Sequence, residues 1–326
     1  MKKNIALVAG GYTNEATISY ESAANIAAAI DASLYQIFKI IITKEEWYYE
    51  NNGSRYTIDK NDFSLNIDGQ KVKFEVAVIV TFGSPGEDGK FQSYLDLLNI
   101  PYTNCNALTA SLTFNKSFCN KVVDSFQHIK IANSVLLIRQ TPYSLGVIME
   151  KVKLPVIVKP NQSGSSIGIT KVSRIEHLPA AIEKAFAQDD QILIEEYIAG
   201  REFSIGVFRW KDTIIALPPS EIVTDNEFFD FNSKFNNASQ RITPAVMDSS
   251  LLNRLQDKSK AIFLKLNGQG FARLDYILEH KTEDLYFLEI NTMPSFRDFN
   301  LIPQQIKAAG YKLGDFYNQM IADCLK

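Results

Sequence analysis

Cysteine, histidine and long apolar runs are all scarce in this chain of 326 residues. The three cysteines, Cys105, Cys119 and Cys324, are odd in number and far apart, and no CxxC or Cys/His cluster accompanies them. This pattern argues against a disulfide framework or a zinc site and favours three small, buried or half-buried thiols in a reducing cytoplasm. The three histidines stand beside no nucleophile motif and no GxSxG sequence occurs, so histidine-based nucleophilic catalysis is poorly supported.

Strong net charge and membrane-sized segments are also missing. The 34 Lys and Arg residues face 37 Asp and Glu residues, and the formal net charge of -3 supplies no general attraction to nucleic acid or anionic lipid. No apolar stretch approaches the roughly 18 residues of a membrane span, and the run at residues 5–9 is too short for a signal-peptide core. We therefore expect a cytoplasmic globular protein of two or three domains, with no nucleic-acid or membrane partner.

The first hundred residues alternate strands and helices. Strands are predicted at 3–9, 35–42 and 76–81, with a helix after the first strand and another ending near Leu98. This alternation predicts a parallel sheet. The loops that follow the first and third of these strands then share its carboxyl edge, where open α/β sheets bind ligands.

The remainder of the chain is predicted to form two further α/β regions. Its predicted elements are a helical stretch at 106–128, a strand at 155–159, a Ser/Gly loop at 162–168, a helix at 175–187, strands at 192–196, 202–209 and 213–217, an irregular segment at 225–243, a helix at 249–266, an antiparallel hairpin of 271–279 and 285–291, and a terminal helix.

Polar chemistry is concentrated on one face of that hairpin. Side chains two apart on a strand share a face, so Arg273 projects with Asp275, and Glu289 projects with Asn291. The opposite, apolar face is predicted to hold Leu274, Tyr276, Leu288 and Ile290. Hard oxygen ligands suit Mg²⁺, and an arginine beside them can stabilise oxyanion charge. The alternative is a solvated polar face with cross-strand salt bridges.

Two further segments indicate a nucleotide. Lys159 ends an apolar strand and precedes a Ser/Gly loop whose amides can fold over phosphates, although the loop does not match a P-loop and is otherwise an ordinary turn. Residues 192–198 are typical of a hinge between lobes, whose backbone could pair with an adenine edge. Glu202 could accept hydrogen bonds from a ribose. The alternative is a buried strand with charged ends.

Taken together, these segments resemble the ATP-grasp superfamily, and more narrowly the D-alanine:D-alanine ligase family, over almost the whole chain. The motifs that carry the resemblance are Gly10-Gly11 with Glu15, Gly83-x-x-Gly86-Glu87-Asp88-Gly89 with Gln92, Ile100-Pro101-Tyr102-Thr103, Asn115-Lys116, Val156-Ile157-Val158-Lys159-Pro160 with Gly164-Ser165-Ser166, Leu193-Ile194-Glu195-Glu196, Phe229-Asp230-Phe231-x-x-Lys234-Phe235, Arg273-x-Asp275 and Glu289-x-Asn291-Thr292-x-Pro294.

The resemblance implies an α/β fold of three-lobed ATP-grasp architecture. Residues 1–103 would form the N-terminal parallel-sheet domain, residues 104–194 the central lobe with the phosphate loop, and residues 195–326 the C-terminal lobe with a lid segment and a metal site. The implied enzyme ligates two D-alanines through a D-alanyl phosphate, for peptidoglycan and hence the cell wall. It is expected to be a homodimer.

The resemblance also assigns residues to ATP and to metal. The residues expected at ATP are Lys116, Lys159 and Ser166 on the phosphates, Glu195, Glu196, Tyr197 and Ile198 on the adenine, and Glu202 on the ribose, together with Phe228 and Leu288. Two Mg²⁺ ions, or Mn²⁺ in their place, would be bound by Asp275, Glu289 and Asn291.

Residues for the amino-acid substrates follow in the same way. Glu15 would bind the first amine, Arg273 would stabilise the tetrahedral oxyanion, and Lys234 would lie near the second carboxylate. Ser165 would link Glu15 to the lid. The substrate pockets would also include Phe82, Phe235, Ser295, Asn300 and Leu301.

Four of these positions depart from the family pattern. Phe82 stands for a histidine, Phe235 for a tyrosine, and Ser295 and Asn300 for a glycine and a serine. All four surround the amino-acid sites rather than ATP. The alternatives are therefore a ligase with another acceptor, D-lactate or a different D-amino acid, and an ATP-binding relative without ligase activity. The segment 225–243 is expected to cover bound nucleotide and exclude water.

Overall fold

The computed structural model describes residues 2–126, 128–164, 167–224 and 239–325. Within these ranges the chain forms three main sheets flanked by helices, and one small two-stranded hairpin. Several predicted residues lie outside the described residues: Ser165, Ser166, Phe228, Lys234 and Phe235. The same holds for most of the predicted lid segment.

The first sheet has five strands in the order β4-β3-β2-β1-β7. Its strands are β1 (Lys3–Gly10), β2 (Tyr35–Ile42), β3 (Trp47–Asn51), β4 (Ser54–Thr57) and β7 (Val76–Ile79), with β5 (Leu65–Ile67) and β6 (Gln70–Val72) forming the separate hairpin. β1 pairs in parallel with β2 and β7, whereas β2–β3 and β3–β4 are antiparallel. The predicted parallel sheet is thus confirmed for three strands and is wrong for the edge.

The antiparallel edge follows from a turn signal that the sequence analysis overlooked. Asn52 and Gly53 both have positive φ, at 50° and 77°, as a two-residue turn between twisted strands requires. Asp68 and Gly69 repeat the arrangement between β5 and β6.

Helices cover both faces of this sheet. On one face Ile5 and Leu7 share a core with α1 (Ala16–Ala29) and α9 (Leu313–Cys324). On the other face, Ala6 and Val8 share a core with α2 (Lys90–Leu97). The loops after β1 and β7 meet at the carboxyl edge, as predicted. A β-carbon at Gly11, whose φ is +123°, would lie only 2.6 Å from the carbonyl oxygen of Phe82.

The second sheet is antiparallel throughout, in the order β11-β10-β12-β9. Its elements are β9 (Ser134–Ile138), α5 (Leu145–Lys151), β10 (Val156–Pro160), β11 (Thr170–Val172), α6 (Leu178–Phe186) and β12 (Gln191–Glu196). A short 3-10 turn at Ile175–His177 precedes α6, so the helix predicted at 175–187 begins later than expected.

The third sheet runs in the order β16-β15-β13-β17-β18-β8, with β14 paired to β13. Its strands are β8 (Lys130–Ile131), β13 (Gly200–Trp210), β14 (Thr213–Ala216), β15 (Ser220–Thr224), β16 (Ser239–Ile242), β17 (Phe271–Glu279) and β18 (Leu285–Asn291). β17 and β18 form the predicted antiparallel hairpin. The accompanying helices are α3 (Ala107–Phe114), α4 (Lys116–Asp124), α7 (Ser249–Lys265) and α8 (Leu301–Ala308).

The segment predicted as one helix at 106–128 is two helices. Asn115 between them is extended, and its side chain caps α4 by accepting a hydrogen bond from the Phe118 amide at 3.0 Å. Cys119 and Val123 share a core with Leu274 of β17, and β8 pairs in parallel with β18. Residues 105–131 therefore pack against the third sheet, and the start of α4 also contacts Asn161, Ser163 and Glu195 of the predicted central lobe and its boundary. The other predicted boundary, at residue 194, falls inside β12.

Candidate active site

Two adjoining pockets lie among the three sheets, and every described residue predicted at a site lines one of them. The residues that line both pockets are Lys116, Ser163, Gly164, Glu202, Asp275 and Glu289. The first pocket extends from this junction towards Glu15, Phe82, Arg273, Asn291, Ser295, Asn300 and Leu301. The second extends towards Lys159, Glu195, Glu196, Tyr197, Ile198 and Leu288. Of the predicted phosphate and metal residues, Lys116, Asp275 and Glu289 thus stand where the two pockets meet.

A buried ion pair lines the second pocket. The Lys159 ammonium lies 2.5 Å from a carboxylate oxygen of Glu195, and both side chains are about nine-tenths buried. Asn120 of α4 donates to the other oxygen of Glu195 at 3.1 Å. The pair is placed by strand register, because Lys159 on β10 lies opposite Leu193 on β12, two residues before Glu195. The Glu195 side chain therefore holds the lysine, a role that the sequence did not indicate.

Two backbone amides of the predicted hinge segment are bonded to carbonyl groups elsewhere in the protein. The Glu196 amide donates to the carbonyl of Asn133 at 2.9 Å, and the Tyr197 amide donates to that of Pro155 at 3.0 Å. Ile198, the next residue, connects these bonds to β13 and lines the pocket. The amides of Glu196 and Tyr197 are thus already paired within the protein.

Lys116 lies at the junction of the pockets because it is the first residue of α4. Its ammonium donates to the carbonyl of Ser163 in the Ser/Gly loop at 2.6 Å and lies 3.6 Å from a carboxylate oxygen of Glu289. Asn161 holds the start of the same helix by accepting from the Ser117 amide at 2.8 Å. One lysine thus contacts both the phosphate loop and the predicted metal face.

The predicted metal face is formed by the hairpin in the expected way. Asp275 lies directly across from Glu289, and Arg273 across from Asn291. Arg273 donates to both oxygens of Asp275 at 2.7–3.2 Å, and the Ser204 hydroxyl donates to the Asp275 Oδ1 atom at 2.6 Å.

The register shifts by one residue beside this face. Asp275 pairs with Glu289, but Tyr276 pairs with Phe287, so Leu288 is the extra residue of a β-bulge. Phe287 takes the place in the buried core that strict alternation assigned to Leu288. The prediction that Leu288 lies on the apolar face is therefore wrong, and Leu288 lines the second pocket instead.

Neighbouring carboxylates stabilise the positive charge of Arg273. Burial by itself lowers the pKa of the guanidinium, but Asp275 and, at 3.8 Å, Glu289 outweigh burial and raise the pKa above its ordinary value. Arg273 is therefore a permanent cation in the first pocket beside the junction, as a residue that stabilises an oxyanion must be.

The donor set at the junction fits Mg²⁺. Asp275 and Glu289 supply carboxylate oxygens and Asn291 an amide oxygen, all lining the same cleft, and these are the hard ligands that Mg²⁺ prefers. Among the described residues, no group of three or more His, Cys, Asp and Glu side chains is arranged to hold a metal. The candidate set has only two carboxylates, which suits an ion that completes its shell with phosphate oxygens and water.

The N-terminal wall of the first pocket carries two glutamates. A β-carbon at Gly164 would lie 3.4 Å from each carboxylate oxygen of Glu15, so the phosphate loop closes directly onto this side chain. Glu87 is 8% exposed and accepts from the Gly83 amide at 3.0 Å. Burial, and then the charge of Glu15, raise the pKa of Glu87 to about 8. Glu87 belongs to the Gly86-Glu87-Asp88-Gly89 motif, but its burial could not be read from the sequence.

The opposite wall of the first pocket is a polar relay. Arg241 donates to Asn300 Oδ1 at 3.2 Å, and Asn300 Nδ2 donates to the hydroxyl of Ser295 at 2.6 Å. Ser295 in turn lies 3.3 Å from the hydroxyl of Ser22 on α1. Arg241 and Arg297 both line this pocket, and the sequence analysis singled out neither.

Comparisons with known proteins agree along the whole chain. Residues 4–105 match the family model described as D-ala D-ala ligase N-terminus, and residues 128–322 match that of the D-ala D-ala ligase C-terminus. A D-alanine–D-alanine ligase of Azobacteroides pseudotrichonymphae is 41% identical over 98% of this chain and 99% of its own. The ligase of Flavobacterium johnsoniae is 40% identical over 98% of both chains.

Solved structures are similar over the same length. The D-Ala:D-Ser ligase VanG from Enterococcus faecalis has a TM-score of 0.88 and 27% identity, covering 99% of both chains. D-alanyl-alanine synthetase A from Vibrio cholerae has a TM-score of 0.89 and 25% identity, covering 99% of this chain and 98% of that one. The three-lobed fold is the ATP-grasp architecture. The chain belongs to the D-alanine–D-alanine ligase family.

Proposed function

We propose that this protein joins two molecules of D-alanine at the expense of ATP, forming D-alanyl-D-alanine, ADP and phosphate for peptidoglycan synthesis. The observation that carries the proposal is the junction of the two pockets. Lys116, Glu202, Asp275 and Glu289 line both of them, so a nucleotide in one pocket would present its terminal phosphate to a substrate in the other.

The chemistry needs such a junction. A free carboxylate is a poor electrophile, and transfer of the γ-phosphoryl group converts it into an acyl phosphate with a good leaving group. Lys159 and Lys116 would neutralise phosphate charge, and Ser166 is also proposed at the phosphates. The apolar lining near Ile198 and Leu288 would take the adenine, and Phe228 is proposed at the nucleotide as well. Glu202 would meet the ribose.

Mg²⁺ would be held by Asp275, Glu289 and Asn291, and when bound it would neutralise phosphate charge. Ser204 and Arg273 fix Asp275 from two directions, so the carboxylate is oriented by protein contacts alone.

The two amino acids would occupy the first pocket. Glu15 would pair with the ammonium of the first D-alanine, whose carboxylate faces the junction. The amine of the second D-alanine would attack the acyl phosphate, and Arg273 would stabilise the oxyanion of the tetrahedral intermediate. The family resemblance assigns Ser165, Lys234 and Phe235 to the amino-acid sites as well, and all three lie outside the described residues.

D-Alanine is proposed as the acceptor because the similar curated proteins named above are D-alanine–D-alanine ligases. VanG, a D-Ala:D-Ser ligase, is similar in structure at lower identity. The relatives thus favour D-alanine over D-lactate or another D-amino acid.

The proposal extends to the assembly and the location of the protein. A homodimer in the cytoplasm is expected, with the three lobes as functional units. Light scattering after gel filtration tests the dimer, and a monomeric mass at micromolar concentration would contradict it. Among the described residues, no helix has the length and apolar composition to cross a membrane.

The decisive experiment is product identification. Purified protein is incubated with ATP, Mg²⁺ and D-alanine, phosphate release is followed, and the product is identified by mass spectrometry. Phosphate release should require D-alanine, and the product should have the mass of the dipeptide. ATP hydrolysis that is independent of D-alanine, without dipeptide, would contradict the proposal.

A further inference from the structure

Arg241 is part of the cleft although it is far in sequence from the hairpin. It lies on β16 across from Ile222 of β15, which in turn lies across from Glu202 of β13. Directly opposed residues on neighbouring strands share a face of the sheet, so Arg241 and Glu202 lie on the same face. Arg241, Ile222 and Glu202 all line the first pocket, and Arg241 is exposed enough for a ligand to reach it.

Three guanidinium groups converge on this side of the pocket. The pKa of Arg241 is lowered, first by partial desolvation and then by the positive charges of Arg297 and Arg273. Arg273 is paired with Asp275, and Arg297 lies 3.2 Å from Glu21. A region in which cations repel one another is one that an incoming anion stabilises.

Asn300 orients the Arg241 side chain. As the residue before α8, Asn300 is at the usual capping position, yet its side chain makes no cap hydrogen bond. The side-chain oxygen of Asn300 accepts a hydrogen bond from Arg241, and its side-chain nitrogen donates to the Ser295 hydroxyl. The amide therefore fixes a guanidinium beside the start of α8 instead of closing the helix end.

We propose that Arg241 binds the carboxylate of the acceptor amino acid and that Asn300 positions it. This assignment rests on the proposed function. The first substrate presents its carboxylate to the phosphate at the junction, and Glu15 suits its ammonium. The second substrate must instead present a free amine to the junction, so its carboxylate points away from it. The guanidinium group on the C-terminal wall provides a bidentate partner for that carboxylate.

The test compares two acceptors in the wild type and in variants of Arg241, with one control variant and one variant of Asn300. The Arg241 variants are Arg241→Gln and Arg241→Lys, and the acceptors are D-alanine and D-alaninamide, which lacks the carboxylate. Arg174→Gln is the matched control, because Arg174 is an exposed arginine of the second lobe in a surface pair with Glu176. Dipeptide and dipeptide amide are quantified by mass spectrometry with saturating ATP, and nucleotide affinity is measured by equilibrium binding.

Loss of a charge-assisted hydrogen bond should raise the KM for acceptor D-alanine about 10- to 100-fold in Arg241→Gln. Arg241→Lys should recover part of this loss. ATP affinity and kcat/KM for D-alaninamide should stay within about twofold of wild type, and that pattern separates carboxylate binding from misfolding. Asn300→Ala should raise the same KM by a smaller factor, with D-alaninamide again unaffected.

Three outcomes would overturn the assignment. Equal losses for D-alanine and D-alaninamide would make the role of Arg241 structural. An unchanged acceptor KM would remove Arg241 from the site. A wild-type preference for D-aspartate over D-alanine that Arg241→Gln abolishes would assign the guanidinium to a side-chain carboxylate instead. In each case dipeptide formation by the wild type leaves the proposed function standing, whereas its absence would refute that function independently.

Discussion

Glu87→Gln should make the protein more stable in alkaline solution and should flatten its stability against pH. Glu87 is 8% exposed, and its pKa rises from 4.5 to about 8. Between these two values the folded protein retains a proton on Glu87 that the unfolded chain releases. Stability therefore falls as pH rises through this window, because the unfolded state is favoured by deprotonation.

The size of the effect follows from the two pKa values. For one site with pKa 4.5 unfolded and about 8 folded, the free energy of unfolding falls by about 3 kcal/mol between pH 6 and pH 9. Glutamine has the shape of the protonated acid and can still accept from the Gly83 amide, so the substitution removes the titration without removing the contact.

The assay is urea unfolding of wild type and Glu87→Gln in buffers from pH 6 to pH 9. The difference in stability between the two proteins should grow by about 3 kcal/mol across this range, while all other titrations cancel. Glu176→Gln is the matched control, because the Glu176 side chain is 64% exposed and should show no such growth. If the free energies of unfolding of wild type and Glu87→Gln changed in parallel with pH, the reasoning would be refuted.

Three further substitutions test the other parts of the cleft. Glu289→Gln should lower D-alanine-dependent phosphate release about 10³-fold. It should change the free energy of unfolding by less than about 1 kcal/mol, because the ion pairs of Glu289 are 3.6 and 3.8 Å long and its side chain is 32% exposed. Undiminished turnover would contradict its place in the metal site. Lys159→Met should destabilise the fold by about 3–5 kcal/mol, because it leaves the buried Glu195 carboxylate without its cation. Adding Glu195→Gln should restore part of this loss, as measured by thermal unfolding. Stability losses that simply add in the double variant would contradict the pairing. Ser204→Ala should raise the Mg²⁺ concentration for half-maximal turnover about 2- to 10-fold, because the hydrogen bond to Asp275 is lost. An unchanged Mg²⁺ titration would show that Ser204 does not orient the Asp275 carboxylate.

Local pattern was sufficient to predict the face of the hairpin but not the bulge within it. Arg273 and Asp275 are two residues apart on one strand, so strand geometry alone places them together. Leu288 was misplaced because a register shift in β18 breaks the alternation on which that prediction relied. Nothing in the residues at 285–291 indicates which of them is the extra one, because the bulge is defined only by the partner strand.

Long-range pairing explains the residues that the sequence analysis missed. Arg241 joins the cleft through β15 and β13, and neither pairing leaves a signal near residue 241 itself. The placement of residues 105–131 with the third sheet depends on the pairing of β8 with β18, about 150 residues later in the chain. By contrast, the Asn52-Gly53 turn was present in the sequence and could have predicted the antiparallel edge.

A single buried amide connects the acceptor side of the cleft to the metal side. Gln305 of α8 donates to the Ser204 carbonyl at 2.8 Å and to the Ser220 hydroxyl at 2.9 Å, and it accepts from the Gly206 amide at 2.8 Å. Ser204 is also the residue whose hydroxyl holds Asp275. Because a fully satisfied buried network strongly specifies one arrangement, α8 and the strands β13 and β15 form one unit.

The donor side is connected differently. Glu15 and Phe82 lie on the first lobe, and the phosphate loop approaches Glu15 closely at Gly164. The residues proposed for the acceptor and the metal thus lie on one packed unit, whereas the residue proposed for the donor and the phosphate loop belong to the first and second sheets. Burial and the charge of Glu15 raise the pKa of Glu87 to about 8, so Glu87 is largely neutral at pH 7 and adds little charge to the wall proposed to bind the donor. A donor bound at Glu15 would then face the residues proposed for the acceptor and the metal across the first pocket.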